Sequence, residues 1–141
     1  MSACAFFGHA DAPERVRPLL REQIEVLIVR EGVRRFYVGN HGAFDRMAYA
    51  ELCEMRKKHP HIQIRVILAY MPTADDDRYR EDGVLPDGIE GVPYRFAIDY
   101  RNKWMLRQVE WVVAYVCRPF GGAAKYVALA RAKEIKVINL G

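Results

Sequence analysis

The sequence predicts a three-layer α/β fold, in which a doubly wound, mainly parallel sheet of about five strands carries helices on both faces. Short apolar runs alternate with amphipathic helical patterns along almost the whole chain of 141 residues. Most of the apolar runs are continuous, as expected for parallel strands that are buried on both faces. Strands joined through helices in this order make right-handed crossovers and give an open sheet that is covered on both sides.

The first half of the chain predicts three strands separated by two helices. The first helix is predicted because its apolar residues recur at spacings of three and four, which gives one buried face. Gly32 and Pro60 end the two helices, since neither residue type favours a helix interior. In order, the predicted elements are the strand Ala3–Phe7, the helix Pro13–Arg30, the strand Arg35–Val38, the helix Phe44–Lys58 and the strand Ile62–Tyr70.

The second half begins with a break in this rhythm. Residues 71–93 contain three prolines, three glycines and the acidic run Asp75–Asp77, without a clear period. An irregular stretch of this length favours a lid or binding loop and a plain surface excursion equally. The remaining predicted elements are an extended piece at Tyr94–Ile98, the helix Tyr100–Arg107, the strand Trp111–Cys117, the helix Ala123–Lys133 and the strand Ile135–Leu140. The whole of 1–141 is therefore predicted to be a single domain, with 71–93 as a candidate lid.

Composition and charge exclude several classes of protein. The net charge of +4 is mild and does not by itself indicate a nucleic-acid partner. Three widely spaced cysteines form neither a closed disulfide framework nor a zinc motif, so no metal and no cofactor is predicted. The sequence shows no basic leader with an apolar core and no apolar run of about 20 residues. These features predict a cytoplasmic protein without a membrane partner.

Candidate ligand-binding residues gather at one edge of the predicted sheet. In open parallel sheets, ligands bind beyond the carboxyl ends of the strands, where the strand order reverses. Glycines follow three of the four strands that end there, at positions where the backbone must turn or approach a ligand closely. The predicted ligand-binding residues are Gly8, His9, Gly39, Asn40, Gly42, Asp45, Arg101, Asn102, Pro119, Phe120, Gly121 and Gly122.

The join between the strand Trp111–Cys117 and the helix after it is the strongest of these signals. Gly121 and Gly122 leave nearly bare backbone N–H groups at a helix N-terminus, which favours an anion such as phosphate. The alternative is that the two glycines only turn the chain between strand and helix. Because this turn shares the edge with Gly8 and Gly39, the sequence favours a phosphate seat.

Three side chains at this edge have two interpretations each. His9 is either a ligand-facing group, whose charge can change near neutral pH, or the cap of a turn. Asp45 either accepts hydrogen bonds from ribose hydroxyls or complements the dipole of its helix. Arg101 either holds an anion in its fork or lies on the solvated face of a short helix.

The common nucleotide fingerprints do not occur in the sequence. Neither G-x-G-x-x-G nor G-x-x-x-x-G-K-[ST] is found. Gly39–Gly42 gives only G-x-x-G, and Lys125 follows Gly122 without the paired hydroxyl. Generic dehydrogenase and NTPase functions are therefore disfavoured.

Four segments resemble the SLOG superfamily, and most closely its small stand-alone bacterial members. These segments are Cys4–His9 (CAFFGH), Gly39–Asp45 (GNHGAFD), Arg101–Met105 (RNKWM) and Phe120–Tyr126 (FGGAAKY). The resemblance implies a Rossmann-like sheet that binds nucleotides or nucleotide-derived ligands. It also implies homodimers or larger homo-oligomers, although the residues themselves leave the oligomeric state open. Some SLOG proteins are ligand sensors, the Lonely Guy enzymes are phosphoribohydrolases, and DNA-processing relatives with the same core bind single-stranded DNA.

Enzymes of the superfamily have a G-G-x-G-T-x-x-E pattern in the late turn, and this chain resembles the start of that pattern. Aligned from Gly121, the first two glycines match, but the glutamate position falls on Ala128. Alanine cannot act as a general acid or base or stabilise an oxocarbenium ion. If the chain is an enzyme, Arg101 is the candidate catalytic residue that the resemblance implies.

The sequence therefore favours binding or sensing of a nucleotide-like small molecule, with its phosphate on the Gly121–Gly122 turn. A nucleoside monophosphate phosphoribohydrolase is the alternative, and a single-stranded nucleic-acid-binding module is third. Nucleic acid is disfavoured as a partner because no basic stripe with interleaved aromatic residues is evident in the sequence.

Overall fold

Six parallel strands form one sheet in the computed structural model, which describes residues 2–141. Their order across the sheet is β4-β3-β2-β1-β5-β6. Four α-helices connect or follow them. The strands are β1 (Ala3–Gly8), β2 (Arg35–Val38), β3 (Gln63–Ile67), β4 (Gly83–Val84), β5 (Trp111–Tyr115) and β6 (Lys136–Asn139), and the helices are α1 (Arg17–Val29), α2 (Ala43–Lys58), α3 (Ala97–Arg107) and α4 (Gly122–Ala132).

The central strand β1 shows why the sheet is covered on both faces. Its side chains alternate, with Cys4 and Phe6 in the core formed with α1 and α2, and Ala5 and Phe7 in the core formed with α3 and α4. All four side chains are buried. The predicted three-layer, doubly wound α/β fold is confirmed.

The sheet has six strands rather than the predicted five. The additional strand β4 lies inside the segment that was predicted to be irregular, where Gly83 and Val84 pair in parallel with the end of β3. A strand of two residues is too short to give a detectable hydrophobic period. Its pairing is therefore decided by the neighbouring strand rather than by its own sequence.

Residues 71–93 are held to the body of the protein by side-chain contacts. Thr73 and Asp76 form a capping box at the start of 3₁₀ turns that span Ala74–Asp82. At the end of these turns the buried carboxylate of Asp82 accepts hydrogen bonds from Arg56 on α2, at 2.9 and 3.0 Å. The acidic run thus supplies a cap, while the interpretation of this segment as a lid stays a prediction.

The prediction of an extended piece at Tyr94–Ile98 is wrong. Tyr94–Phe96 forms a 3₁₀ turn, and α3 begins at Ala97, earlier than the predicted start at Tyr100. The aromatic residues favour a strand locally, but Pro93 precedes the turn with a φ of −55°. Ala97, Arg101 and Met105 then recur at a helical spacing of four on the buried side of α3.

The strand order reverses between β1 and β5. From β1 the chain adds β2, β3 and β4 on one side and then crosses to add β5 and β6 on the other. Gly8 at the end of β1 pairs with Tyr115 at the end of β5, so the carboxyl ends of the two strands are level. This reversal is the place where open α/β sheets bind ligands. None of the helices within residues 2–141 has the length and apolar character needed to cross a bilayer.

Candidate functional site

A pocket of about 210 Å³ opens at the carboxyl edge of the sheet, next to the strand reversal. Its walls come from the ends of β1 and β2, the first turns of α2 and α4, and one face of α3. We call it the anion pocket because the guanidinium of Arg101 lies in its lining. It is lined by Phe6, Phe7, Gly8, Gly39, His41, Asp45, Ile98, Arg101, Asn102, Gly122, Ala123 and Tyr126.

Arg101 is the central charged group of the anion pocket. It is only 3% exposed, on the inward side of α3. Its Nη1 atom donates to the backbone carbonyl of Ile67 at 3.0 Å and to Oδ1 of Asn40 at 3.1 Å. Its Nε atom donates to Oδ1 of Asn102 at 2.7 Å. These bonds fix the guanidinium plane against the ends of β2 and β3.

The Ile67 carbonyl and the two amide oxygens that bind Arg101 are uncharged. Its Nη2 atom lies 3.4 Å from Nδ1 of His41, whose pKa is lowered first by burial and then by the charge of Arg101. No carboxylate of residues 2–141 lies within the 4.0 Å that defines an ion pair with its guanidinium. Burial lowers the pKa of Arg101, while the charge of the more distant Asp45 opposes this effect. A buried charge is normally paired, because it has lost its hydration. The pocket therefore presents a positive charge that is not in direct contact with a carboxylate of residues 2–141.

Asp45 is the carboxylate whose charge acts on Arg101, although the two side chains do not form an ion pair. It lies in the first turn of α2, and its Oδ2 atom accepts a hydrogen bond from the backbone N–H of His41 at 3.0 Å. Burial raises the pKa of Asp45 to about 6, against the opposing charge of Arg101 and the His41 hydrogen bond. Near neutral pH the side chain therefore exists in both the protonated and the ionised form.

Gly39 separates Asp45 from Arg101. A Cβ atom at this position would lie 2.8 Å from Oδ2 of Asp45 and 3.0 Å from Nη1 of Arg101. Both distances are shorter than normal packing of a side chain allows. A methyl group at residue 39 would therefore displace the end of one of these two side chains.

The opposite wall of the pocket is the N-terminus of α4. Gly121 is its N-cap, with a φ of 97°, and within residues 2–141 no side chain caps the helix. Gly122 and Ala123 line the pocket. A Cβ atom at Gly122 would meet no atom within 4 Å, so the space in front of this turn is open. The first N–H groups of α4 and the Arg101 guanidinium together give two positive walls.

Tyr126 continues the α4 wall one turn further along. Its hydroxyl donates to Oδ1 of Asp99 at 2.5 Å, and burial raises the pKa of Tyr126 to about 12. Lys103 and Lys125 each lie 2.9 Å from Asp99, and the pKa of Asp99 is strongly lowered, first by the Tyr126 hydrogen bond and then by that of Lys125. Asp99 is therefore an ionised carboxylate that is paired with two lysines and lies outside the pocket lining.

The structure brings half of the predicted ligand-binding residues together. Six line the anion pocket, namely Gly8, Gly39, Asp45, Arg101, Asn102 and Gly122. Asn40 is outside the lining but accepts a hydrogen bond from Arg101. The others lie outside this pocket: His9, Gly42, Pro119, Phe120 and Gly121.

Two of the outlying residues have structural contacts that explain their type. Gly42 has a φ of 93°, and a Cβ atom there would lie 2.6 Å from the backbone of Ala10. His9 is buried, and its Nε2 atom accepts a hydrogen bond from the backbone N–H of Cys117 at 3.1 Å. For both residues the geometry favours a role in holding two turns together.

Sequence reasoning missed several lining residues. Ile98 precedes Arg101 and Asn102 by three and four positions, and Tyr126 follows Gly122 by four, so helical periodicity was an available signal. His41 follows β2 at this edge, and it also lines the pocket. Phe6, Phe7 and Ala123 complete the missed set.

Ala128 lies away from the anion pocket. It is exposed on α4 and does not line the pocket, whereas Tyr126 does. An alignment that starts at Gly121 therefore assigns the glutamate position of the enzyme pattern to a residue that cannot face a bound ligand. The carboxylate that lines the pocket is Asp45.

No protein-family model matches the chain, and no curated protein sequence matches it significantly. Among solved structures, the fold is similar to the X-ray structure of DNA processing protein A from Streptococcus pneumoniae, with a TM-score of 0.73 and 11% sequence identity. The match covers 99% of this chain and 50% of the other, so the chain spans about half of that protein's length. At this identity the similarity shows the fold alone: a Rossmann-like α/β sheet of the kind that the SLOG resemblance implies.

Proposed function

We propose that this chain binds a nucleotide or nucleotide-derived small molecule and holds its anionic group in the anion pocket. The observation that carries the proposal is the buried guanidinium of Arg101, which lines the pocket and whose polar contacts include no carboxylate. A phosphate can supply the missing counter-charge and accept a hydrogen bond from Nη2, because Nε and both N–H groups of Nη1 already donate to protein atoms. The N–H groups of the first turn of α4 favour the same ligand from the other side.

The nucleotide character of the ligand rests on the fold and on the resemblance. The pocket lies at the strand reversal, where Rossmann-like sheets bind ligands, and the SLOG superfamily implies a nucleotide or a nucleotide derivative. Binding without turnover would make the protein a ligand sensor or carrier. The pocket contains one arginine and one helix N-terminus, which suits one phosphate group.

Titration calorimetry with ribose 5-phosphate and with adenosine monophosphate tests this proposal. Arg101→Met removes the charge but keeps much of the side-chain volume, and we expect it to lower the affinity for both compounds at least about tenfold. Arg107→Met is the matched control, because Arg107 is an exposed arginine at the end of the same helix. Unchanged affinity in a folded Arg101→Met variant would contradict the proposal.

Hydrolysis of the N-glycosidic bond is the second candidate function, and Asp45 is the observation that favours it. A carboxyl group with a pKa of about 6 can both donate and accept a proton near neutral pH, as general acid–base catalysis requires. In this reaction water adds to the sugar carbon, the C–N bond breaks, and the base leaves with a proton. Chromatographic detection of free adenine from adenosine monophosphate, lost in Asp45→Asn, would establish it. Stable binding without base release supports the first candidate.

A further inference from the structure

The anion pocket is too small for a whole nucleotide. Its volume of about 210 Å³ lies below the roughly 300 Å³ at which small-molecule sites begin. A second pocket of about 630 Å³ lies at the same edge of the sheet, beyond β3. Its lining is mainly apolar and includes Tyr70, Met71, Leu85, Ile89, Val92 and Tyr94. We call it the aromatic pocket.

The two pockets are lined by neighbouring residues on two sides. Ala97 lines the aromatic pocket and the next residue, Ile98, lines the anion pocket, so the start of α3 separates them by a single residue. On the other side, the His41 ring of the anion pocket meets the Tyr70 ring of the aromatic pocket edge to face, with centroids 6.2 Å apart. The two pockets are therefore immediate neighbours at this edge of the sheet.

Tyr70 and Tyr94 form a stacked pair at the mouth of the aromatic pocket. Their ring centroids are 4.3 Å apart and their planes differ by 19°. Tyr94 is 75% exposed, although it contributes a large aromatic ring. An exposed ring that is already held parallel to its neighbour is a preorganised surface for a planar group.

We propose that the aromatic pocket binds the base of the same ligand whose anionic group lies at Arg101. This inference rests on the proposed function and names its ligand class: a planar aromatic ring joined through a short polar linker to an anionic group, as in a nucleoside monophosphate. The base packs against the Tyr70–Tyr94 pair, and the sugar passes the wall formed by His41 and Ile98. Neither pocket alone holds the whole ligand.

The experiment compares adenosine monophosphate with ribose 5-phosphate on the full chain by titration calorimetry. Stacking of a base on an aromatic side chain corresponds to an affinity gain of about 5- to 150-fold. We expect adenosine monophosphate to bind more tightly than ribose 5-phosphate by a factor of this size. We also expect Tyr94→Ala to remove most of that difference while leaving the affinity for ribose 5-phosphate unchanged.

Two further variants make the result specific. Tyr94→Phe keeps the ring and should retain the affinity for adenosine monophosphate. Val29→Ala removes another exposed apolar side chain, on α1 and far from this edge, and should change neither affinity. The exposure of Tyr94 means that its replacement should leave the fold intact, which a melting curve of each variant checks.

The failures of the two proposals can be told apart. If ribose 5-phosphate binds through Arg101 but adenosine monophosphate binds no more tightly, the base does not use the aromatic pocket and only the further inference is overturned. The same holds if a base-dependent gain is unaffected by Tyr94→Ala. If neither compound binds, the proposed function and this inference fail together.

Discussion

The backbone N–H of Cys117 donates a hydrogen bond to Nε2 of His9 at 3.1 Å, joining residues that are 108 positions apart. The backbone N–H of His9 donates in turn to the carbonyl of Tyr115 at 3.2 Å. Together these bonds fasten the loop after β1 to the end of β5, at the strand reversal. Because Nε2 must be unprotonated to accept a hydrogen bond, this link depends on a neutral imidazole.

The His9 link predicts a stability that falls at acidic pH. Burial lowers the pKa of His9 and the charge of Arg118 adds to this effect, so the folded protein disfavours the imidazolium. The contribution is present above the unfolded pKa of about 6.5 and is lost as the pH falls through the lower folded value. We expect His9→Phe to cost about 1–2 kcal/mol at pH 7.5 and to flatten the pH dependence of unfolding by urea.

The control for this prediction is His61→Gln, at an exposed histidine at the end of the α2–β3 connection. It should leave both the stability and its pH dependence close to those of the native protein. An equally steep pH dependence in His9→Phe would show that His9 does not carry this effect.

Asp45 predicts the opposite dependence on pH. Because its folded pKa is raised to about 6, the protonated form is favoured in the folded protein. That stabilisation is fully present below the unfolded pKa of about 4 and is lost as the pH rises through about 6. We expect Asp45→Asn to be more stable than the native protein at pH 8, by roughly 1–3 kcal/mol, and equally stable at pH 4. Denaturant titrations at the two pH values measure the difference, and a constant difference would contradict the assignment.

The position of Gly39 between Asp45 and Arg101 predicts that one added methyl group weakens ligand binding. In Gly39→Ala the new Cβ atom would overlap with Asp45 and Arg101, so one of these side chains must move. We expect the affinity for ribose 5-phosphate to fall at least about tenfold and the stability to fall by about 1–3 kcal/mol. Gly91→Ala is the matched control, since its Cβ atom would meet nothing within 4 Å. If Gly39→Ala keeps the native affinity, Arg101 and Asp45 do not take part in binding.

Gly122 predicts a loss of binding without a loss of fold. Its Cβ position faces open space, so Gly122→Val should change the melting temperature little. The added side chain would stand in front of the first N–H groups of α4, and we expect weaker binding of ribose 5-phosphate for this steric reason. Ala128→Val, an exposed substitution on the same helix, is the control. Unchanged affinity in Gly122→Val would mean that the phosphate does not lie at this turn.

The contact between Asp82 and Arg56 predicts how much stability is lost when the segment that carries β4 is released. The Asp82 carboxylate is buried and accepts hydrogen bonds from Arg56 and from the hydroxyl of Tyr49. Arg56→Met leaves this carboxylate without its charged partner, which should cost about 3 kcal/mol of stability. Lys57→Met breaks only an exposed pair with Glu54 and should cost less than about 1 kcal/mol. Equal costs for the two variants would show that the Asp82 contact does not anchor the segment.

The order of strands and helices could be predicted from the sequence because each main element carries its own period. The run Trp111–Cys117 is apolar throughout, and the helix Pro13–Arg30 repeats its apolar residues at three and four. The short elements could not be predicted in this way. Strand β4 is two residues long, and the turn at Tyr94–Phe96 is set by Pro93 and by the packing of α3.

The candidate site was predicted in part for a related reason. The rule that parallel strands end at one edge places Gly8, Gly39 and Gly122 together without any knowledge of side-chain contacts. It cannot state which way a side chain points. His9 and Gly42 lie on the predicted edge, yet their contacts are with Cys117 and Ala10.

The sequence by itself determined the three-layer parallel architecture, and it predicted the edge of the candidate site and the glycine turn before α4. These follow from local periodicity and chain topology, which are properties of neighbouring residues. Only the tertiary structure decided that Arg101 is buried without a carboxylate partner, and that Asp45 has a raised pKa beside it. Burial and charge pairing are sums over residues that are distant in the chain, so they exist only once the fold has brought those residues together.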